Sequence, residues 1–142
     1  MFNSREIGAD EHELWFRNAV TDQSHYLMIV EEEVPFGFVQ FRNVDEKKTA
    51  EWGFYVDPKA EKGSGKKLGN LALEYAFTVL KLHKVCGQAI ASNTGSIHLH
   101  EYLGFTKEGV LRDQRVINQQ YQSVISFRLL EYEWRQLKKH EN

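Results

Sequence analysis

Apolar side chains fall at Leu68, Leu71, Ala72, Tyr75, Ala76, Val79 and Leu80, spacings of three and four that lay one stripe along a helix beginning after Gly65. Elsewhere the apolar residues come in short runs bounded by turn formers, the pattern of strands. Such runs occupy residues 26–30, 36–41, 51–56 and 85–90, with turns at 31–35 and a polar loop at 43–48. Asp57-Pro58 ends the third run, because proline cannot donate to a ladder. Asn93-Thr94 predicts the cap of a short helix reaching about Leu103. Gly104-Phe105 then returns the chain into a long strand ending near Ile117, and residues 121–130 run back as a final strand. At the start, Asp10, Glu11 and Glu13 ahead of Leu14-Trp15-Phe16 predict a short helix over 11–16. Past the long helix, Lys81, His83 and Lys84 are expected to complement the negative end of its dipole. The expected order is α-ββ-β-α-β-α-ββ, a mixed α/β fold with a largely antiparallel sheet and one strand–helix–strand crossover.

Length and charge narrow this picture. A chain of 142 residues and 16.6 kDa supports one core, so residues 1–142 are expected to form a single domain. The 18 Lys+Arg against 20 Asp+Glu leave a net charge of −2, without the basic footprint of a nucleic-acid binder. No apolar stretch approaches the roughly 20 residues that cross a bilayer, and residues 1–10 lack the design of a secretory signal. A cytoplasmic protein is the simplest expectation. Cys86 stands alone, which excludes an internal disulfide and a zinc site built from several thiolates, and its place within a strand predicts a small core residue. His98 and His100 diverge on their helix and the other histidines have no partners at ligand spacing, so no metal site is expected.

The informative segment is Lys62-Gly63-Ser64-Gly65-Lys66-Lys67, between a strand and the long helix. Glycines allow close backbone approach, and the helix start offers free N–H groups with partial positive charge, together a cradle for phosphate. Ala60 and Lys67 exclude a Walker A loop, and Leu68 excludes the third glycine of a dinucleotide fingerprint. Read alone, the segment is equally a tight strand-to-helix turn.

Gly63-x-Gly65, the amphipathic helix, the following strand, Asn93, the short helix and Gly104-Phe105 together resemble the GNAT superfamily of acetyl-CoA-dependent N-acetyltransferases. The family loop Q/R-x-x-G-x-G/A maps onto residues 60–65, with Ala60 at the usual Gln or Arg. The resemblance implies a twisted, mostly antiparallel sheet with helices on both faces, here without the usual first strand. It further implies acetyl-CoA as co-substrate. The pyrophosphate would lie at Lys62 to Lys67, the pantetheine arm along Phe54, Tyr55 and Val56, and a pantetheine hydrogen bond at Asn93.

A narrower likeness, in Phe2-Asn3-Ser4-Arg5-Glu6-Ile7, Glu11-His12, Trp15-Phe16, residues 82–88 and Gly109-x-Leu111-Arg112, is to the pseudaminic-acid-pathway aminosugar acetyltransferases. It implies a UDP-linked 4-amino-4,6-dideoxy sugar as acceptor, with Arg42, Arg112 and Arg115 available to a diphosphate. Ribosomal-protein N-terminal and polyamine acetyltransferases share the second half of the pattern. An acyl-CoA-binding module whose chemistry has decayed is a further alternative, and a homodimer is a further expectation. For the chemistry, the family commonly draws the thiolate's proton from a Tyr five residues before the Phe of Gly-Phe, the place of His100 here. That resemblance makes His100 the expected acid, with simple packing as the alternative. Glu51, opening the strand that faces the acetyl group, is the expected base, with an exposed strand-end carboxylate as the alternative.

Overall fold

The computed structural model describes the backbone of residues 2–9, 12–22, 25–31, 35–44 and 48–140, with side chains from Gly37 onward within those ranges. The strands are β1 (Phe2–Ala9), β2 (His12–Asp22), β3 (His25–Glu31), β4 (Pro35–Asn43), β5 (Thr49–Val56), β6 (Lys84–Ile90), β7 (Thr106–Ile117) and β8 (Gln120–Leu130). The helices are α1 (Ser64–Thr78), α2 (Thr94–Tyr102) and α3 (Glu131–Lys139). These strands form one sheet in the order β1-β2-β3-β4-β5-β6-β8-β7. Every neighbour pair is antiparallel except β5–β6, the pair joined through α1.

The mixed α/β architecture and the crossover follow the sequence pattern. The opening helix does not. From His12 the chain is strand β2, laddered to β1 on one side and β3 on the other. Pairing on both edges outweighs an acidic helix-start signal in a segment containing Trp15, Phe16 and Val20, residues that suit strands. The amphipathic helix also stops earlier than its stripe. Val79 is the C-cap and is exposed, and the last turn of α1 carries no basic residue, so Lys81, His83 and Lys84 lie beyond the reach of its dipole.

Helix α3 is absent from the sequence reading, although its signals are orthodox. Glu131 and Glu133 lie in its first turn and Lys138 and Lys139 in its last, complementing the dipole. The Glu133 carboxylate accepts the Leu130 N–H at 2.9 Å, closing the helix start. Trp134 is buried against Phe77 of α1, with ring centroids 5.3 Å apart.

One core gathers Val39, Phe41, Ala50, Trp52, Phe127 and Leu129 of the sheet with Leu68, Ala72 and Phe77 of α1, Leu103 after α2, and Trp134 of α3. All three described helices contribute to this core. No described helix is long and apolar enough to cross a membrane.

Candidate active site

β5 and β6 stay paired only at Thr49↔Lys84, Ala50↔Val85 and Glu51↔Cys86. Beyond Glu51 the two strands separate, and the β6-facing edge of β5 has no strand partner. A cleft of about 440 Å³ opens there. One wall is Trp52, Gly53, Phe54 and Val56 of β5; Gln88 of β6 and Asn93, Ser96 and His100 around α2 face it, and Gly65 stands at the α1 end.

The α1 end is built for negative charge. Gly63 has φ +92°, a left-handed conformation that a side chain would strain. It turns the chain so that the helix begins with no side-chain cap and no acid in its first turn. Ser64 N–H donates to the Glu61 carbonyl and Lys67 N–H to that of Gly63, both at 3.1 Å. The N–H groups of Gly65 and Lys66 between them are the orphans of a helix start. A Cβ on Gly65 would meet only Leu99, at 3.7 Å, so glycine here keeps the cleft open rather than relieving a clash.

The candidate residues divide by face. Phe54, Val56, Gly65 and Asn93 line the cleft. Tyr55 points the other way, half exposed and stacked on Phe38 at 5.6 Å, so its backbone rather than its ring borders the cleft edge. Ser64 Oγ donates to the Glu61 carbonyl at 2.6 Å and is spent closing the turn. Lys62 is exposed, and the Lys66 ammonium sits 4.4 Å from the centre of the exposed Tyr102 ring. Asn93 Oδ1 accepts the Ser96 N–H at 3.0 Å as the cap of α2, leaving its NH2 group for a ligand.

Glu51 lies off the cleft. Arg42 donates to its carboxylate at 2.7 Å, and the pair borders a second hollow of about 110 Å³ with Gln40. Trp52 and Gly53 line both hollows, so the two meet across β5. Sequence reasoning missed Trp52, Gln88 and Ser96. The strand period was a usable signal for the first, since Trp52 alternates with Phe54 and Val56 on one face.

His100 is 1% exposed, the only polar side chain among the described residues that is buried. Trp52 Nε1–H donates to its Nε2 at 3.1 Å, and its Nδ1 lies 2.8 Å from the Ser96 carbonyl. Burial holds its pKa below the usual histidine value, partly opposed by the Ser96 carbonyl. With both nitrogens engaged, the ring has no free N–H for the cleft, and this geometry does not favour the acid role expected at His100. Burial likewise pushes the Cys86 thiol up, against the opposing pull of Arg128 and Lys84. No group of three His, Cys, Asp or Glu side chains among the described residues can hold a metal ion.

Comparison with known proteins fits this geometry. The family model described as an acetyltransferase (GNAT) domain matches residues 2–106. The chain is 32% identical to spermidine N(1)-acetyltransferase of Vibrio cholerae over 119 residues, 81% of this chain and 69% of that one. It is 29% identical to acetyltransferase PseH of Campylobacter jejuni over 104 residues, 72% of this chain and 65% of that one. A crystal structure of mutant forms of the spermidine/spermine N-acetyltransferase SpeG from Vibrio cholerae superposes with a TM-score of 0.78 at 30% identity, covering 83% of this chain and 71% of that one. A parallel strand pair that opens onto an uncapped, glycine-flanked helix start, together with these matches, places the chain in the GNAT acetyltransferase family, acyltransferases that take acetyl-CoA as co-substrate.

Proposed function

We propose that this chain transfers the acetyl group of acetyl-CoA directly to a primary amine of a small molecule. The observation that carries the reading is the opening between β5 and β6 beyond Glu51, which leads to the bare N–H groups of α1. The pantetheine arm adds to the free edge of β5 at Phe54, Tyr55 and Val56 as an extra strand would. The pyrophosphate settles on the Gly63–Lys67 turn, where Lys62, Lys66 and Lys67 add positive charge to the helix dipole. The Asn93 NH2 group steadies the arm.

The amine enters from the opposite side, through the hollow of Gln40, Arg42 and Glu51, and meets the thioester at Gly53. The Glu51 carboxylate takes the ammonium's proton, directly or through a water. Nitrogen attacks the carbonyl carbon and the C–N bond forms; the C–S bond breaks with its electrons leaving on sulfur, and the nitrogen gives up its second proton to water as the amide forms.

The acceptor we assign is a polyamine, supported by the 32% identity to a spermidine N(1)-acetyltransferase over most of this chain. A nucleotide-linked 4-amino-6-deoxy sugar is the second reading, favoured by the Arg42 guanidinium in the amine-side hollow and by the likeness to acetyltransferase PseH. The enzyme is expected to work as a homo-oligomer. A thiol-release assay with acetyl-CoA and either spermidine, spermine, UDP-4-amino-6-deoxy sugars or peptide N-termini tests the assignment. Turnover of spermidine is the expected result, and turnover of the sugars alone reverses the choice of acceptor. Coenzyme A binding without turnover of any amine returns the chain to a decayed binding module.

A further inference from the structure

β5 and β6 share only three ladder pairs, so beyond Glu51 the β5 wall is laddered to β4 alone and no backbone pairing ties it to the far side of the cleft. His100 is placed to do so. An indole N–H can only donate, so Nε2 of His100 is the acceptor at 3.1 Å. The ring proton therefore sits on Nδ1 and is donated to the Ser96 carbonyl at 2.8 Å. The path from indole to imidazole to carbonyl runs from β5 to the first turn of α2, and all three residues line the cleft.

The ring is fixed in other directions too. Phe127 stacks on it at 4.9 Å with planes 10° apart, and Phe105 meets it edge-on at 5.0 Å. Trp52 and Phe54 complete an aromatic surround with no charged side chain among its rings. Protonation would set an N–H on Nε2 against the indole N–H, two donors face to face in a buried site.

We propose that His100 is a positioning residue, a neutral strut of fixed tautomer that ties the β5 wall to α2 and sets the width of the cleft, rather than the acid for the departing thiolate. The functional half of this proposal rests on the acetyl-CoA reading above; the tautomer and the strut do not. An acid must present an N–H to the cleft, and here the N–H is committed to Ser96 and the lone pair to Trp52. The thiolate, whose conjugate thiol has a pKa of about 8.5, leaves as the anion and collects its proton from water.

Nitrogen-15 NMR of histidine-labelled protein without ligand tests the strut directly. A neutral Nδ1–H tautomer for His100 is expected at neutral pH, and an Nε2–H tautomer overturns the proposal. His100→Phe keeps the aromatic stack and removes both hydrogen bonds, while Trp52→Phe removes the shared bond from its other end. Each is expected to weaken coenzyme A binding by about 5- to 30-fold, the worth of one buried hydrogen bond. KM for acetyl-CoA should then rise more than kcat falls, with the alkaline limb of the pH–rate profile unmoved. His100→Gln, which retains a donor and an acceptor, should recover part of the affinity. A kcat loss in His100→Phe at unchanged coenzyme A affinity, with the alkaline limb displaced and Trp52→Phe unaffected, identifies an acid and overturns the proposal. Thermal stabilities of the two single variants and their double variant, measured without ligand, should be non-additive, and additive values overturn the strut. If the unmodified protein binds no coenzyme A, the acetyl-CoA reading fails, while the tautomer and the stability cycle still decide the strut.

Discussion

Replacing Gly87 with alanine places one methyl group where the Trp52–His100 pair leaves no room. A Cβ there would stand 2.4 Å from His100 Nε2 and 2.7 Å from Trp52 Nε1, the two atoms that share a hydrogen bond. Ordinary carbon–nitrogen contact requires about 1 Å more, so the imidazole and the indole must move apart. Overpacking of this kind costs about 1–3 kcal/mol. Losing the bond leaves a buried donor and a buried acceptor unpaired, a further ~1–3 kcal/mol. For a domain of this size the total of about 2–6 kcal/mol corresponds to a fall in Tm of roughly 6–18 °C. Thermal unfolding followed by circular dichroism reads that shift directly. A second measurement isolates the cause: in a His100→Ala background the imidazole contacts are gone, the indole has room to shift, and the same Gly87→Ala change should cost less. A Tm for Gly87→Ala within about 2 °C of the parent, where a loss of roughly 6–18 °C is expected, refutes the packing argument. Equal losses in both backgrounds would place the strain somewhere other than the Trp52–His100 pair.

Other outcomes follow from the same geometry. Gly65→Val should leave the fold intact, since a Cβ there meets only Leu99 at 3.7 Å, yet weaken coenzyme A binding by about tenfold or more in a titration by obstructing backbone approach. Gly63→Ala should lower stability by about 1 kcal/mol through its left-handed φ of +92°, measured by urea unfolding. His100 titrates below its usual value of about 6.5 in the folded protein, so the unfolded chain takes up that proton first. Its contribution to stability is present above pH 6.5 and lost as pH falls from there through the folded pKa, and His100→Phe should remove that part of the pH dependence of unfolding. Cys86, buried with a raised pKa, should resist iodoacetamide in the folded protein and react on unfolding.

The parts of the fold legible in the sequence are those where local pattern and tertiary role agree. The α1 stripe as far as Ala76 and the Asn93 cap serve as the pattern implies, and the runs at β3 to β6 form strands. The helix expected at 11–16 failed because acidic residues speak only for a helix start, whereas β2 is decided by two flanking partners that no local window contains. Helix α3 carries its charges and its Glu133 closure in plain view. The glycine turn ahead of α1 was legible because glycine spacing encodes backbone geometry directly. The role of His100 was not, since family position says where a side chain stands and not which of its nitrogens are occupied. That answer depends on Trp52, 48 residues away in sequence.

The early parting of β5 from β6 has a consequence for the protein without its co-substrate. A sheet whose central strands part early is an unfinished hydrogen-bonded surface, and in the acetyl-CoA reading proposed above the entering pantetheine arm acts as a temporary structural member. Bound ligand and native fold then stabilise one another, and the gain should concentrate in Trp52 to Val56 rather than spread through the domain. Amide exchange along that stretch should slow sharply on binding while β7 and β8, paired together at the far edge, exchange as before.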